Sequence, residues 1–559
     1  MTMLRHSFHG IGAVPDHPLA KDAQQRWTDL KSERSQFESD WEDIARLIRP
    51  QRGGFRSGDP AHKTTEKPLS SGPIIAQSNL SAGLYGTLTN PANRWFGLST
   101  PDPALNDDQD MREWLDLVAS RILRSFSPEV SPFYDAAIQG FSDLCAFGNF
   151  VQYDELLTEK RQFVDQTLSL AEVVWDIDGF GAVVEVVRRF ALKPRAAVAM
   201  FGADALPANL VELAEKNDQS KVWFWHHVLP NSQFLPGRIG ANGKAFLSVY
   251  ACEMGCSLIR VRGFDEMPFD VARWDVDSGY TCGNGPGYIA LASARLVNRM
   301  DEATIRAAQM AADPVKLAPD RDAWPLNGKL RPGAMIYGGV DVRGNPLIRT
   351  MDTHAGIGLT FDEKQRLNDE IKDAFNWSLM NLAGRTGMTA TEVITIEEER
   401  QRLMAPFTGR TQREYLRPKI SRRFSTLWRA GQIPPPPEHA RGAPLQVEYL
   451  SAAARAQKSR DGAAVMQLLA NIGPLAQIKP RLLDRINEDE LIETLQEAHG
   501  VPAAILYSRA EADAIGRARA EQQQQMQQMA MAAEAASAAK DAAGAAQAAG
   551  LVGGEGGAM

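Results

Sequence analysis

The sequence predicts an α+β protein that is mostly helical, with long helices, one β-rich stretch and a small β-containing insert. Three observations predict it. Apolar residues recur at helical spacing before about residue 150 and again after 286. Two β-rich runs flank an Asp-Gly turn in 168–192, and further β runs follow. Two capped helices then enclose a glycine loop, Ala383-Gly384-Arg385-Thr386-Gly387-Met388.

The elements follow in order. Residues 1–25 are read as a flexible arm, since the first 20 hold Gly, Pro and His without period. Trp27, Leu30, Phe37, Trp41, Ile44 and Ile48 share one helical face, and Pro50 stops that helix. Residues 51–72 read as a loop. Helices are expected at about 73–89, at 110–126 (Trp114, Leu115, Val118, Ile122) and at 133–147, the last closed by Gly148. Residues 150–265 turn β-rich, with KVWFWHHVL and AFLSVYACEMG as strands. Helix returns after Gly287 with an unusually small face, including Ala290, Ala294, Ala303 and Ala307, which permits close helix packing. Residues 313–358 carry repeated Pro and Gly and read as a small β module.

The next helix is expected from Thr360 to about Leu382, with Thr360 and Glu363 as a capping box. Leu367, Ile371, Phe375 and Leu379 form its apolar stripe. Its other face is mostly acidic: Asp362, Glu363, Asp369, Glu370 and Asp373. A second capping box, Thr389 with Glu392, opens a helix to Gly431 that Pro406 should break. The tail from Ser508 is rich in Ala and Gln and reads either as an exposed helix or as disorder.

Several of these segments resemble one family. RTGMTATEVITIEEERQRL with REYLRPKISRRFSTLWRAGQIPPPP is similar to the portal, or head-to-tail connecting, proteins of short-tailed phages. WEDIARLIRP, LSAGLYGTLTNPANRWFGL, GPGYIALASARLVNRMDEA and YLSAAARAQ agree with it, in family order, over roughly residues 26 to 505. The resemblance implies a portal-type subunit. Its wing would be 26–285, its first stem helix 286–312 and its clip 313–358. The second stem helix would be 359–382, the channel loop 383–390, further wing or core helices 391–500, and a crown-side tail 501–559.

The resemblance also implies function: a closed ring, typically of twelve copies, at one vertex of the capsid. Such a ring is the conduit for genome packaging and ejection and has no enzymatic activity. The implied partners are other copies of the chain, the terminase large subunit, the tail adaptor, the major capsid or scaffolding protein, and double-stranded DNA passing without sequence specificity. The implied place is the virion, after assembly in the host cytoplasm. Gly384, Arg385, Thr386, Gly387 and Met388 would face the DNA, where a ring of arginines contacts phosphate without reading sequence. Lys316, Arg321, Trp324, Lys329, Arg331 and Arg343 would dock partners at the clip. Two rival classes are another virion component, such as a tail adaptor or tube protein, and a packaging enzyme of the terminase type.

Composition sets bounds. The 559 residues exceed one hydrophobic core, so several subdomains are expected. A net charge of −8 argues against a surface that grips DNA throughout, but suits a wall along which DNA slides. Four cysteines in so long a chain predict no disulfide framework. MTMLRHSFHG has no apolar core, which predicts no signal peptide. No run of about eighteen apolar residues predicts a membrane span.

Enzyme and ligand motifs fail on inspection. Around Gly243-Lys244 a phosphate loop needs Gly at 238 and Ser or Thr at 245, where Arg238 and Ala245 stand. Gly283-Asn284-Gly285-Pro286-Gly287 reads as an anion cradle or, more plainly, as a hinge before a helix. The loops at Asp176 and Asp275 lack the twelfth-position Glu of a calcium site and read as turns. Cys252, Cys256, Cys282, His226 and His227 have no spacing that fixes a zinc site, so no metal or cofactor is expected. The basic run Arg410, Arg413, Arg417, Lys419, Arg422, Arg423, Arg429 reads mostly as a solvated or subunit-facing helix surface, with a DNA-facing role as the alternative.

Overall fold

The computed structural model describes residues 13–61, 68–157, 162–312, 357–380, 390–442, 444–449 and 509–552. It also describes short pieces at 316–317, 341–343, 345, 349–350, 462, 464–472, 491–492, 495–496 and 507. The chain divides into two compact units, 1–95 with 121–433, and 96–120 with 434–559.

The first unit opens with α1 (Pro18–Leu47) and α2 (Gly72–Leu88). His17 caps α1 by accepting a bond from the Leu19 N–H on Nδ1, and Pro18 sits at the first helical position, where its missing N–H costs nothing. The expected arm is shorter than 1–25. Val14 exchanges backbone hydrogen bonds with Leu258, and the helix is under way by Pro18. The apolar face of α1 is real at Trp27, Leu30, Trp41, Ile44 and Ile48, with Phe37 half-buried. Between Leu30 and Trp41 it is continued by charge. Arg34 and Glu38 are buried together, with Arg34 Nη2 2.8 Å from Glu38 Oε1 and the guanidinium over the Trp41 ring.

In chain order there follow β1 (Phe96–Ser99), α3 (Pro103–Asp107), α4 (Gln109–Ser125) and α5 (Phe133–Phe147). Gly148 ends α5 in the left-handed region at φ 73. The strands β2 (Asn149–Leu157), β3 (Gln162–Leu168), β4 (Val173–Ile177) and β5 (Val183–Leu192) come next. After α6 (Pro194–Phe201) and α7 (Ala208–Glu215) come β6 (Val222–Pro230), β7 (Phe246–Cys252), β8 (Ser257–Phe264) and β9 (Phe269–Arg273).

These strands make two antiparallel sheets, ordered β4-β5-β6-β7-β8 and β3-β2-β9. The Asp-Gly turn joins β4 to β5 as expected, with Asp178 Oδ1 accepting the N–H groups of Phe180 and Ala182. One face of the large sheet, at Val174, Val187, Trp225 and Ala251, packs on Ala20, Ala23, Trp27 and Leu30 of α1. The other, at Phe190, Phe224, Tyr250 and Ile259, packs on Ala197, Phe201 and Leu210 of α6 and α7. Alternate residues serve opposite faces, as a pleated strand requires.

The helical half continues with α8 (Pro286–Ala312). A two-residue ladder, β10 (Lys316–Leu317) with β11 (Arg349–Thr350), follows it. Next come α9 (Ile357–Ala374), α10 (Trp377–Met380), α11 (Ala390–Thr411), a π-helical turn at Gln412–Leu416 and α12 (Arg417–Arg429).

Three expectations change here. α9 begins three residues before Thr360, so Thr360 is inside the helix rather than at its start, and Glu363 pairs with Arg366. The helix does not run on to 382, because Asn376 turns left-handed at φ 50 and separates α9 from α10. Pro406 is carried inside α11; the irregularity falls at the π turn, just before Pro418. Thr389 lies outside the described residues.

The glycine run before α8 is neither hinge nor anion cradle. It is a packed junction against the end of α5. A Cβ on Gly287 would lie 2.1 Å from the Ala146 carbonyl oxygen, and one on Gly148 would lie 2.4 Å from the Gly285 nitrogen.

In the second unit β1 pairs with β12 (Gln446–Tyr449), Phe96 opposite Tyr449. Trp114 Nε1 donates to the Pro434 carbonyl at 2.9 Å. The alanine-rich tail is a helix, α13 (Arg509–Val552), whose described side chains are exposed. Among the described residues, no helix is long and apolar enough to cross a membrane.

Candidate functional site: the α8–α9 pair and a buried ionic cluster

α8 and α9 lie antiparallel, tied at two levels. Ser293 Oγ donates to Glu370 Oε2 at 2.9 Å, and Lys364 Nζ to Asp301 Oδ1 at 2.5 Å. Ala290, Leu291, Ala294 and Val297 form the buried face of α8, and Leu367, Ile371 and Phe375 that of α9. Small residues at 290 and 294 let the helices approach closely. α8 is tied to α1 by Arg295, whose guanidinium meets Asp40 at 3.1 Å and Asp43 at 2.6 Å.

The outward sides differ. On α9 Asp362, Glu363, Asp369, Glu370 and Asp373 are exposed, so the expected acidic face is present. On α8 the exposed residues Ile289, Ala292, Leu296 and Ala303 fall on one stripe at helical spacing, roughly opposite the buried face. Ile289 is 69% exposed and Leu296 49%. α8 is therefore apolar on two sides in the single chain, and only one is covered.

The second feature is a buried ionic cluster. Lys419, Arg422 and Arg423 of α12 stand three and four residues apart and share one face. Arg413, Arg417 and Arg429 are exposed, as expected, but the face of Lys419, Arg422 and Arg423 is buried, because three aspartates meet it from the three strands of the smaller sheet. Lys419 Nζ lies 3.0 Å from Asp165 Oδ1 and 3.0 Å from Asp270 Oδ2. Arg422 makes a two-pronged contact with Asp270, at 2.5 and 3.1 Å, and reaches Asp154 at 3.2 Å. Arg423 pairs with Asp165 and lies 3.4 Å over the Phe163 ring. Burial alone would raise the Asp165 carboxyl; the charges of Lys419 and Arg423 outweigh it and hold it down at about 2. Burial alone would lower Lys419, but Asp154, Asp270 and Asp165 raise it. Three cations on three carboxylates leave no net buried charge. Removing one partner strands a charge and costs about 3–5 kcal/mol.

Of the residues predicted as functional sites, the structure describes Lys316 and Arg343. Gly384, Arg385, Thr386, Gly387 and Met388 lie outside the described residues, as do Arg321, Trp324, Lys329 and Arg331. Lys316 is in β10 opposite Thr350. Arg343 is exposed, its backbone N–H donated to Asp341 Oδ1. The cysteine and histidine candidates are dispersed in packing roles. His226 stacks on Tyr250 with ring centres 4.0 Å apart and is held neutral by burial, and His227 meets Glu185 at 2.6 Å. Among the described residues, no cluster of three or more His, Cys, Asp or Glu could hold a metal ion. The buried ionic cluster is not foreseen from the sequence. Its one legible trace was the 419-422-423 spacing.

Comparison with known proteins places the chain. Residues 20–506 match the family described as bacteriophage head to tail connecting protein. The chain is 29% identical to the portal protein of Salmonella phage epsilon15, over 89% of this chain and 90% of that one. It is 27% identical to the probable portal protein of Bordetella phage BPP-1, over 89% and 91%. Among solved structures, a chain of the virion of a native gene transfer agent particle aligns at TM-score 0.30 and 13% identity, covering 77% of this chain and 89% of that one. A chain from the neck of the native particle aligns at 0.32 and 11%, covering 73% and 90%.

Proposed function

The chain belongs to the bacteriophage head to tail connecting protein family, and on that premise we propose that it is the subunit of a closed portal ring of twelve copies at one capsid vertex. The observation that carries self-assembly is the second apolar side of α8. Ile289, Ala292, Leu296 and Ala303 form a stripe that a side-by-side copy would cover. A ring of one chain needs a heterologous contact, in which one face meets a different face of the next copy. The positive Arg299 beside the stripe and the acidic outer face of α9 suit such a pairing.

In this reading α8 and α9 are stem helices, and α8, at 27 residues, would run about 40 Å at 1.5 Å per residue. Residues 313–358 are the clip, offering Lys316, Arg321, Trp324, Lys329, Arg331 and Arg343 to the terminase large subunit and later to the tail adaptor. Residues 383–390 line the channel, with Arg385 touching passing DNA without reading its sequence. The ring is assembled in the host cytoplasm with capsid or scaffolding protein and has no catalytic role. Light scattering on the purified protein tests the assembly. A species well over half a megadalton supports it, and a monodisperse monomer across salt and concentration refutes it.

A further inference from the structure

α11 and α12 form one helical run but are held very differently. α12 is fixed by the buried contacts of Lys419, Arg422 and Arg423, and Tyr415 and Leu416 just before it are fully buried. Where its side chains are described, at 399 and 402–411, α11 is lightly held. Arg402, Leu403, Ala405, Pro406 and Gly409 are exposed, while Met404 and Thr411 are buried.

Two neighbouring residues at the end of β9 grip it. Phe407 stacks on Trp274 with ring centres 4.5 Å apart and planes 14° apart. Glu414, in the π turn, accepts from Arg273 at 2.9 Å on one oxygen and at 3.2 Å on the other. The π turn is the irregular link between the two helices, a form that recurs at functional sites. Proline weakens the ladder on both sides of it. Pro406 has no N–H for the Arg402 carbonyl, and Pro418 has none for that of Glu414.

We propose that the Gln412–Leu416 turn is a joint on which α11 moves against a fixed α12, latched by Arg273 on Glu414 and Trp274 on Phe407. Arg273 also donates to the carbonyls of Gly181 at 2.7 Å and Thr281 at 3.5 Å. Opening the latch therefore frees a group that also holds the β4–β5 turn and the segment leading into α8. What the motion serves rests on the portal reading, in which α11 directly follows the channel segment; the joint itself does not.

Amide hydrogen exchange on the purified full-length protein tests it. Phe407→Ala and Arg273→Gln should each speed exchange in 390–411 by about tenfold or more, while 417–429 changes by less than about twofold. Equal acceleration of both segments would make the run a single rigid rod and overturn the joint, as would no acceleration in either. If Arg273→Gln, a buried site, does not fold, Phe407→Ala decides alone. Rings without selective exchange would remove the joint and leave the portal reading. Selective exchange without rings would do the reverse.

Discussion

Lys419 Nζ lies 3.0 Å from Asp165 Oδ1, and neither side chain touches solvent. The two residues are 254 positions apart, so this contact fastens the C-terminal helical run to the β-rich part of the same unit. Removing one partner should be much worse than removing both. Lys419→Met or Asp165→Asn should each destabilise by about 3–5 kcal/mol, and the paired replacement by clearly less than the sum. Denaturant unfolding measures all three, and simple additivity would show that the two charges do not depend on one another.

The same carboxylate sets a pH dependence. Asp165 is held at about 2 in the folded chain, below its ordinary 3.8. A depressed carboxylate contributes stability that is complete above the unfolded value and is lost as pH falls through the folded one. The loss therefore runs between about pH 4 and pH 2. Asp165→Asn should be less stable at neutral pH and should show a shallower decline across that window. Parallel stability curves for the two proteins would remove Asp165 as the cause.

Glycines separate packed from open backbone. Gly287→Ala should destabilise strongly, since the new Cβ meets the Ala146 carbonyl at 2.1 Å. Gly409→Ala in α11, with nothing within 4 Å of its Cβ, should instead gain up to about 1 kcal/mol from helix propensity. Thermal midpoints of the two variants should move in opposite directions.

How far the sequence led can be judged at particular residues. α2, α4, α5 and the β4–β5 hairpin were legible because their signals are local: a period, an Asp-Gly turn, a C-cap glycine at 148. The buried charge of α12 was not. Periodicity places Lys419, Arg422 and Arg423 on one face, but whether that face is wet depends on Asp154, Asp165 and Asp270, more than 140 residues upstream. The glycines at 283–287 misled for a related reason. Permissive backbone looks the same from sequence whether it bends or packs.

Adjacent positions on α8 should part company. Leu296 is exposed and Val297 is fully buried. Leu296→Asp should leave the single chain folded and weaken self-association, while Val297→Asp should unfold it. Circular dichroism with sedimentation velocity distinguishes the two outcomes, and full assembly of Leu296→Asp would show that the stripe is not a contact between copies.

The proposed channel arginine has its own test. Arg385→Ala should preserve assembly and lower packaged or retained DNA, and Arg385→Glu should lower it further by adding repulsion. On that proposal each contact would be an exposed charge pair, worth about 1 kcal/mol or less and weakened by salt, so the effect would depend on many copies acting together. Equal packaging in all three proteins would make Arg385 an ordinary solvated charge.

Electron-microscope images of the purified protein test the central claim most directly. The account predicts closed rings of uniform size with an open centre. Single subunits, or open filaments that never close, would contradict it.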